Sequence, residues 1–204
     1  MADHYFTSNV PASDSELRDV TVHARGHHLV MSSADRVFSS GALDPGTRVL
    51  LDVAPPPPQT GIFLDLGCGW GPIAALLALE APDASVWAVD VSERALDLTA
   101  RNAARLGLSN IFPLTEADAL ERAAAEGTQF DLIWSNPPVR IGKAEMLALL
   151  DRWLSKLSPE GVAYLAIAKN LGGDSAARWL ADQGYSVKKA ASKKGFRVLE
   201  VRRG

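Results

Sequence analysis

The stretch that decides the fold is Leu64-Asp65-Leu66-Gly67-Cys68-Gly69-Trp70-Gly71-Pro72. The apolar run 61–64 is typical of a strand buried on both faces, and residues 73–80 predict a helix. Pro72 suits the first turn of that helix, because its missing N–H needs no partner there. Three glycines in five residues let the backbone turn sharply and approach a ligand closely. The pattern therefore predicts a nucleotide-cofactor loop at the carboxyl end of a parallel strand.

The glycine spacing distinguishes two cofactor classes. The dinucleotide fingerprint G-x-G-x-x-G requires a glycine where this chain has Pro72. The order here is G-x-G-x-G, and it resembles the first motif of class I methyltransferases, which use S-adenosylmethionine. An acidic residue near the amino group and sulfonium of that cofactor is chemically reasonable, although a strand–helix turn without a ligand is the alternative. The resemblance implies cofactor contacts by Asp65, Gly67, Cys68, Gly69 and Gly71.

Length and composition predict one α/β domain of 204 residues, 47% of them hydrophobic. No run of 18 uncharged apolar residues occurs, so we expect no membrane span, and the first residues do not read as a signal peptide. The single Cys68 excludes an internal disulfide and favours a reducing, cytoplasmic location. A net charge of −3 argues against a general nucleic-acid coat protein. The sequence does not indicate an oligomeric state.

The carboxyl-terminal stretch 188–204 is basic, with seven Lys or Arg residues against one Glu, a local charge of +6. Such a concentration of positive charge on an acidic protein is typical of a surface that contacts RNA phosphates. The alternative is a solvated edge hairpin, whose lysines only protect the sheet from aggregation. Charge alone does not decide between these two interpretations.

Strands and helices alternate after residue 59, which predicts a doubly wound, Rossmann-like sheet. Pro113 places the third core strand at a sheet edge, because it cannot donate to a ladder. We expect the last two strands, 185–189 and 196–201, to pair antiparallel across about six polar residues. The other predicted strands are 85–90, 111–115, 130–135 and 161–168, and the helices are 93–106, 144–157 and 174–183.

Residues 1–58 are predicted to form a small extension packed on the methyltransferase-like domain 59–204, with the prolines 55–58 as a rigid connector. Within it we expect a hairpin that turns near Gly26 and a helix that begins at Asp44 and Pro45. All four histidines lie here, at positions 4, 23, 27 and 28. A metal site is conceivable, but no cysteine or spaced acidic partner accompanies them, so we predict surface histidines and no metal.

Two acidic residues follow the next two core strands. Asp90 lies 23 residues after Gly67, where an acid accepts hydrogen bonds from the ribose hydroxyls of an adenosine cofactor. It also reads as a helix-start carboxylate beside Ser92. Asp118 is placed to accept from the adenine amine, or to cap a helix beginning near Leu120. The neighbours Val91 and Ala119, together with Asn136 after the fourth core strand, complete the predicted cofactor contacts.

The stretch Asn136-Pro137-Pro138-Val139 follows the fourth core strand. Two prolines after a polar residue make a stiff, extended corner. An Asn oxygen and a backbone carbonyl there can accept both hydrogens of one NH2 group and direct its lone pair at a methyl donor. No strong base is needed, since the nitrogen loses its proton once it is cationic, and orientation carries the rate. A simple turn explains the prolines but not the asparagine.

Together with Val37-Phe38-Ser39, Arg140-Ile141-Gly142-Lys143 and Lys194-Gly195-Phe196-Arg197, these motifs resemble the "methyltransferase small domain" group of class I methyltransferases. The resemblance implies a seven-stranded sheet of order 3-2-1-4-5-7-6. It also implies methyl transfer from S-adenosylmethionine to an exocyclic amine in RNA, most closely guanine N2 of small-subunit ribosomal RNA. The implied partner is that RNA or a small-subunit assembly particle, and the implied catalytic residues are Asn136, Pro137 and Pro138.

Val139 departs from the pattern of many N-methyltransferases, which have an aromatic residue there to stack on the target base. Because stacking is worth about 1–3 kcal/mol, another ring should supply it, and Phe38 is the candidate. A protein-glutamine N-methyltransferase and a non-catalytic cofactor-binding, ribosome-associated module are the alternative functions. The substrate-binding residues that the resemblance implies are Phe38, Val139, Arg140, Lys143, Lys194 and Arg197.

Overall fold

The structure, a computed structural model, describes residues 10–138 and 141–204, which contain nine strands and six α-helices. The strands are β1 (Arg18–Ala24), β2 (His27–Ser33), β3 (Thr60–Leu66), β4 (Asp83–Asp90), β5 (Ile111–Thr115), β6 (Phe130–Ser135), β7 (Leu157–Ala168), β8 (Ser186–Lys193) and β9 (Phe196–Arg202). The helices are α1 (Pro45–Val53), α2 (Pro72–Glu80), α3 (Glu93–Arg105), α4 (Glu116–Glu126), α5 (Lys143–Leu154) and α6 (Gly173–Asp182). In the described ranges, none of the helices has the length and apolar character of a membrane span.

Seven strands form one sheet in the order β5-β4-β3-β6-β7-β9-β8. Counted from β3 as the first core strand, this is the predicted order 3-2-1-4-5-7-6, so the α/β fold class is confirmed. The strands from β5 to β7 are parallel, and β9 runs antiparallel to both of its neighbours. β5, with its proline, lies at one edge as expected.

Helices cover both faces of the sheet, which buries β3 on each side. Phe63 packs with the core formed by α1, α2 and α3, whereas Leu64 packs with α4, α5 and α6. Both side chains are fully buried. A continuous apolar strand is the expected consequence of two covered faces.

The amino-terminal hairpin of β1 and β2 joins the first of these layers. Asn102 on α3 fixes it, accepting from Ser32 N at 2.6 Å and donating to the Ser32 and Trp70 carbonyls, each at 2.8 Å. At its turn, the Arg25 guanidinium donates to both Glu80 carboxylate oxygens and to carbonyls at the end of α1. Arg25 thus joins the hairpin to the ends of α1 and α2, and α1 itself packs against β6, β7 and β9.

Three local predictions were wrong. α4 begins at Glu116 rather than near Leu120, because the Thr115 hydroxyl caps it by accepting from Asp118 N at 3.1 Å. α5 ends at Leu154, and the fully buried Leu157 begins β7 instead of ending the helix. β8 extends to residue 193 as a largely exposed edge strand, so only Lys194 and Gly195 form the turn, with φ of +47° and +83°.

Candidate active site

The strand register brings the predicted motifs to one edge of the sheet. Leu66 pairs with Val89 on one side and Ser135 on the other. The residues that follow these three strand positions therefore lie side by side. A cavity of about 430 Å³ opens there, which is within the usual size range of small-molecule sites. The predicted site residues that line it are Phe38, Gly67, Gly69, Asp90, Val91, Asn136, Pro137 and Pro138.

The three positions of the loop require glycine for different structural reasons. Gly67, Gly69 and Gly71 have φ of +77°, +56° and +87°, in the left-handed region that side chains disfavour. Gly67 and Gly69 face the cavity, but Gly71 does not; a Cβ there would meet Thr99 Oγ1 at 2.8 Å. Cys68 is buried beside the same threonine, at the wall of a small adjoining pocket. Gly71 thus serves packing of the loop on α3.

Asp90 fastens the glycine loop to the start of α3. Its Oδ2 accepts from Gly69 N at 2.9 Å and its Oδ1 accepts from Ser92 N at 2.9 Å. Burial raises the pKa of this carboxyl above its ordinary value. Each oxygen keeps a further lone pair, so the helix-start role and the ribose role are geometrically compatible. The ribose contact stays a prediction.

Asp65 lies beneath the loop, fully buried, and does not line the cavity. Its Oδ2 accepts from Ala74 N in the first turn of α2 at 2.9 Å, and no described residue donates to its Oδ1. Burial, reinforced by the charge of Asp90, raises its pKa to about 8. The structure therefore places Asp65 under the amino end of α2, not at the cavity surface where a direct cofactor contact was predicted.

Burial of Asp65 predicts a pH dependence of stability. An acid whose pKa is higher in the folded chain than in the unfolded chain holds its proton more tightly when folded. Stability therefore falls as the pH rises from about 4 to about 8, by up to about 3 kcal/mol between about pH 5.5 and about pH 8. We expect Asp65→Asn to flatten this dependence in denaturant unfolding at both pH values. An equally steep dependence in the variant would contradict the assignment.

Asp118 and Ala119 are not brought into the cavity. The Asp118 carboxylate accepts from the Thr115 hydroxyl at 2.7 Å on the exposed side of α4, and Ala119 is fully buried in the core. Glu116, two residues earlier, lines the cavity instead and accepts from Arg152 at 2.7 Å. Recognition of Thr115 as a helix cap would have identified Glu116 as the first residue past the strand.

Asn136 has its amide orientation fixed by α1. Its Nδ2 donates to Asp44 Oδ2 at 2.7 Å and to Thr47 Oγ1 at 3.1 Å. An ideal Cβ on Gly46 would lie 2.9 Å from Asn136 Oδ1 and 2.7 Å from Cε1 of Phe196, so that oxygen and that ring share one small space. Asn136 was identified from the sequence, whereas Asp44, Gly46, Thr47 and Phe196 were not recognised there as parts of the site.

The predicted substrate residues are scattered. Phe38 lies at the cavity with Asn136 and is 41% exposed. Lys143 and Lys194 are exposed outside the cavity wall, and Arg197 binds the Asp174 carboxylate at 2.6 and 3.1 Å. Val139 and Arg140 lie outside the described residues. An RNA contact by the basic hairpin stays a prediction, and the Arg197 ion pair reduces its available charge.

The histidines that the structure describes lie on or beside the amino-terminal hairpin. His23 and His28 stack with ring centroids 4.4 Å apart. Within residues 10–138 and 141–204, no group of three or more His, Cys, Asp or Glu side chains is arranged to hold a metal ion.

Known proteins that are similar in sequence to this chain include the following three. The uncharacterized protein YbxB of Bacillus subtilis is 30% identical over 203 residues, the full length of both chains. The ribosomal RNA small subunit methyltransferase C of Pseudoalteromonas translucida is 34% identical over 155 residues, 76% of this chain and 40% of that protein. The release factor glutamine methyltransferase of Chlorobaculum tepidum is 43% identical over 110 residues, 50% of this chain and 37% of that protein. The chain thus spans about two fifths of these two enzymes.

Among solved structures, the T. thermophilus 16S rRNA N2 G1207 methyltransferase RsmC, in complex with AdoMet and guanosine, superimposes with a TM-score of 0.77. It shares 22% sequence identity and covers 95% of this chain and 52% of its own, a likeness that shows the fold. Residues 28–200 match the methyltransferase small domain family. Class I methyltransferases use S-adenosylmethionine, the cofactor predicted from the glycine loop. The family match and the full-length relative together establish that this chain belongs to the methyltransferase small domain family.

Proposed function

We propose that this chain transfers a methyl group from S-adenosylmethionine to an exocyclic amine of a base in RNA, with guanine N2 of small-subunit ribosomal RNA as the leading target. One observation carries the proposal. The Nδ2 of Asn136 is committed to Asp44 and Thr47, which leaves Oδ1 to accept, and Asn136 lines the same cavity as Gly67 and Gly69 of the glycine loop. A fixed acceptor next to a cofactor loop is what orientation of an NH2 group requires.

The residues of the chain act on the amine rather than on the cofactor. S-adenosylmethionine, when bound, supplies an electrophilic methyl group. Asn136 Oδ1 accepts one amine hydrogen and the Pro137 carbonyl accepts the other, so the nitrogen lone pair faces the methyl carbon. The N–C bond forms as the S–C bond breaks, sulfur keeps the electron pair, and the cationic nitrogen then releases its proton to solvent. Both acceptors gain strength as positive charge develops on nitrogen.

Two aromatic rings at the cavity favour a base over an aliphatic amide. Phe38 comes from the segment before α1 and Phe196 from the start of β9, and both line the cavity that contains Asn136. Rings stack on bases, and each stacked base contributes about 1–3 kcal/mol. The ribosomal RNA methyltransferase relative also matches a larger share of this chain than the release factor methyltransferase does.

A protein-glutamine substrate is the second candidate, because a side-chain amide offers the same NH2 group to the same two acceptors. The 43% identity to the release factor glutamine methyltransferase supports this alternative. The test is transfer of a radiolabelled methyl group from S-adenosylmethionine to small-subunit RNA, to assembly particles and to release factor. Label in the small-subunit RNA, mapped by mass spectrometry to the N2 of a guanine, supports the proposal. Label only in protein would reverse it.

Asp90→Ala should weaken S-adenosylmethionine binding by about 1.5–3 kcal/mol, the range for a lost hydrogen bond to a charged group. The carboxylate lies at the cavity and still has lone pairs for ribose hydroxyls. Calorimetry measures the change, and NAD should bind neither protein. Asp83→Ala is the matched control, since Asp83 is an exposed carboxylate at the opposite end of the same strand. Unchanged affinity in Asp90→Ala would remove this residue from the ribose role.

A further inference from the structure

The amino end of α1 gathers three donors on one carboxylate oxygen. Asp44 Oδ2 accepts from Gly46 N at 2.7 Å and from Thr47 N at 3.1 Å, which is a helix cap. The same oxygen accepts from Asn136 Nδ2 at 2.7 Å, across 92 residues of sequence. Thr47 Oγ1, buried in the same turn, accepts from that nitrogen at 3.1 Å.

These contacts decide which way the carboxamide faces. A carboxamide is planar, so two acceptors on its nitrogen also fix the direction of its oxygen. In the reversed orientation, Asn136 Oδ1 would face the oxygens of Asp44 and Thr47. No amide proton would then lie between Asn136 and the Asp44 carboxylate. A neutral acceptor at Asp44 would not impose the same preference as strongly, because bonds to charged groups are about twice as strong.

We infer that Asp44 is a positioning residue for methyl transfer: its carboxylate orients the Asn136 carboxamide so that Oδ1 faces the target amine. The inference rests on the proposed function of Asn136. It also gives α1 a part in the chemistry, because the start of this helix supplies both acceptors that hold the Asn136 Nδ2. Asp44 also lines the cavity, but the role assigned to it here is exerted through the Asn136 side chain.

A purely structural role, capping of α1, is the competing explanation, and Asp44→Ser separates the two. Serine caps helices about as well as aspartate, so the variant should keep the helix start. Its hydroxyl is one bond shorter than a carboxylate oxygen and cannot serve both the cap and Asn136. Asp44→Asn retains a carbonyl oxygen of the right length and is the conservative rescue. Asp52→Asn removes a carboxylate from the same helix, bound to Lys193 at 2.8 Å, and is the control.

Kinetics give the first readout. We expect kcat of Asp44→Ser to fall about 10- to 100-fold, as misplacement of a reacting group by about 1 Å does. The affinity for S-adenosylmethionine and the melting temperature should stay close to those of the wild type. Asp44→Asn should recover part of the loss, and Asp52→Asn should keep the wild-type kcat. A wild-type kcat in Asp44→Ser, or a loss that tracks only the melting temperature, would overturn the inference.

A second readout does not depend on activity. In the wild type the Asn136 side-chain NH2 should show a downfield-shifted proton and slow hydrogen exchange by NMR, because both of its donors are engaged. Asp44→Ser should lose this protection and Asp52→Asn should keep it; equal protection in Asp44→Ser would contradict the positioning role. If the wild type methylates neither RNA nor protein, the proposed function fails, whereas this NMR result still decides whether Asp44 orients Asn136.

Discussion

Asn136→Ala is expected to slow single-turnover methyl transfer by about 10²–10³, the loss typical of removing one preorganised electrostatic contact. The carboxamide oxygen is the acceptor that strengthens as the target nitrogen becomes positive. Affinity for S-adenosylmethionine should change little, because the glycine loop and Asp90 belong to other strand ends. Saturating cofactor and small-subunit RNA make the assay report chemistry rather than product release. A wild-type rate in this variant would refute the amine-orienting mechanism and favour a non-catalytic role.

Asn136→Asp tests whether an oxygen acceptor is the essential feature. Aspartate keeps an acceptor but adds a charge near the sulfonium, which stabilises the ground state together with the transition state. It also puts a carboxylate where the Nδ2 of Asn136 now lies 2.7 Å from Asp44 Oδ2. Repulsion between two carboxylates at that distance should displace both. We therefore expect Asn136→Asp to be impaired beyond the change of acceptor alone.

The exchanged pair, Asp44→Asn with Asn136→Asp, distinguishes the two causes of that impairment. The double variant restores one amide and one carboxylate, so a donor again lies between positions 44 and 136. Its rate should exceed that of Asn136→Asp alone, which is a coupling that non-interacting residues do not show. Additive losses in the double variant would mean that the contact between these side chains does not matter for transfer.

The fold was predictable because its determinants are local. The apolar run before the glycine loop, Ser92 before α3 and the proline of β5 each specify one element or edge within a few residues. The errors also have local causes. Most side chains of β8 are exposed, so its sequence lacks the regular alternation of apolar and polar residues that indicates a strand. The second half of β8 was therefore predicted to be a loop. Because Thr115 caps α4, this helix begins about one turn earlier than predicted, and Glu116 instead of Asp118 faces the cavity.

The site was only partly predictable, because its second half comes from a different part of the chain. Asn136 and the glycine loop follow parallel strands, where topology alone makes them neighbours. Asp44, Thr47 and Phe196 reach the same place through docking of α1 and the return of β9, and no spacing in the sequence encodes those contacts. Asp44 was correctly predicted at the start of α1, but its hydrogen bond to Asn136 is visible only in three dimensions.

Gly46→Ala should lower kcat by about 10², although it is a single added methyl group on a helix. Gly46 occupies the second position of α1, and its φ is outside the left-handed region, so the backbone there does not require glycine. By helix propensity alone alanine would be the better residue by about 0.8–1 kcal/mol. The requirement is for space: a Cβ would lie 2.7 Å from the Phe196 ring and 2.9 Å from Asn136 Oδ1.

The structure can relieve this overlap only by moving the ring or the acceptor. Asp44 Oδ2 also lies 2.9 Å from this Cβ. The added methyl group should therefore disturb the hydrogen bonds that hold the Asn136 side chain. Gly41→Ala is the matched control, since a Cβ at Gly41 meets nothing within 4 Å. Steady-state kinetics beside thermal unfolding separate the effects. A variant of normal stability with a low kcat would show that the site requires glycine here. A normal kcat would contradict the prediction, because it would mean that Phe196 and Asn136 can move away without any loss of activity.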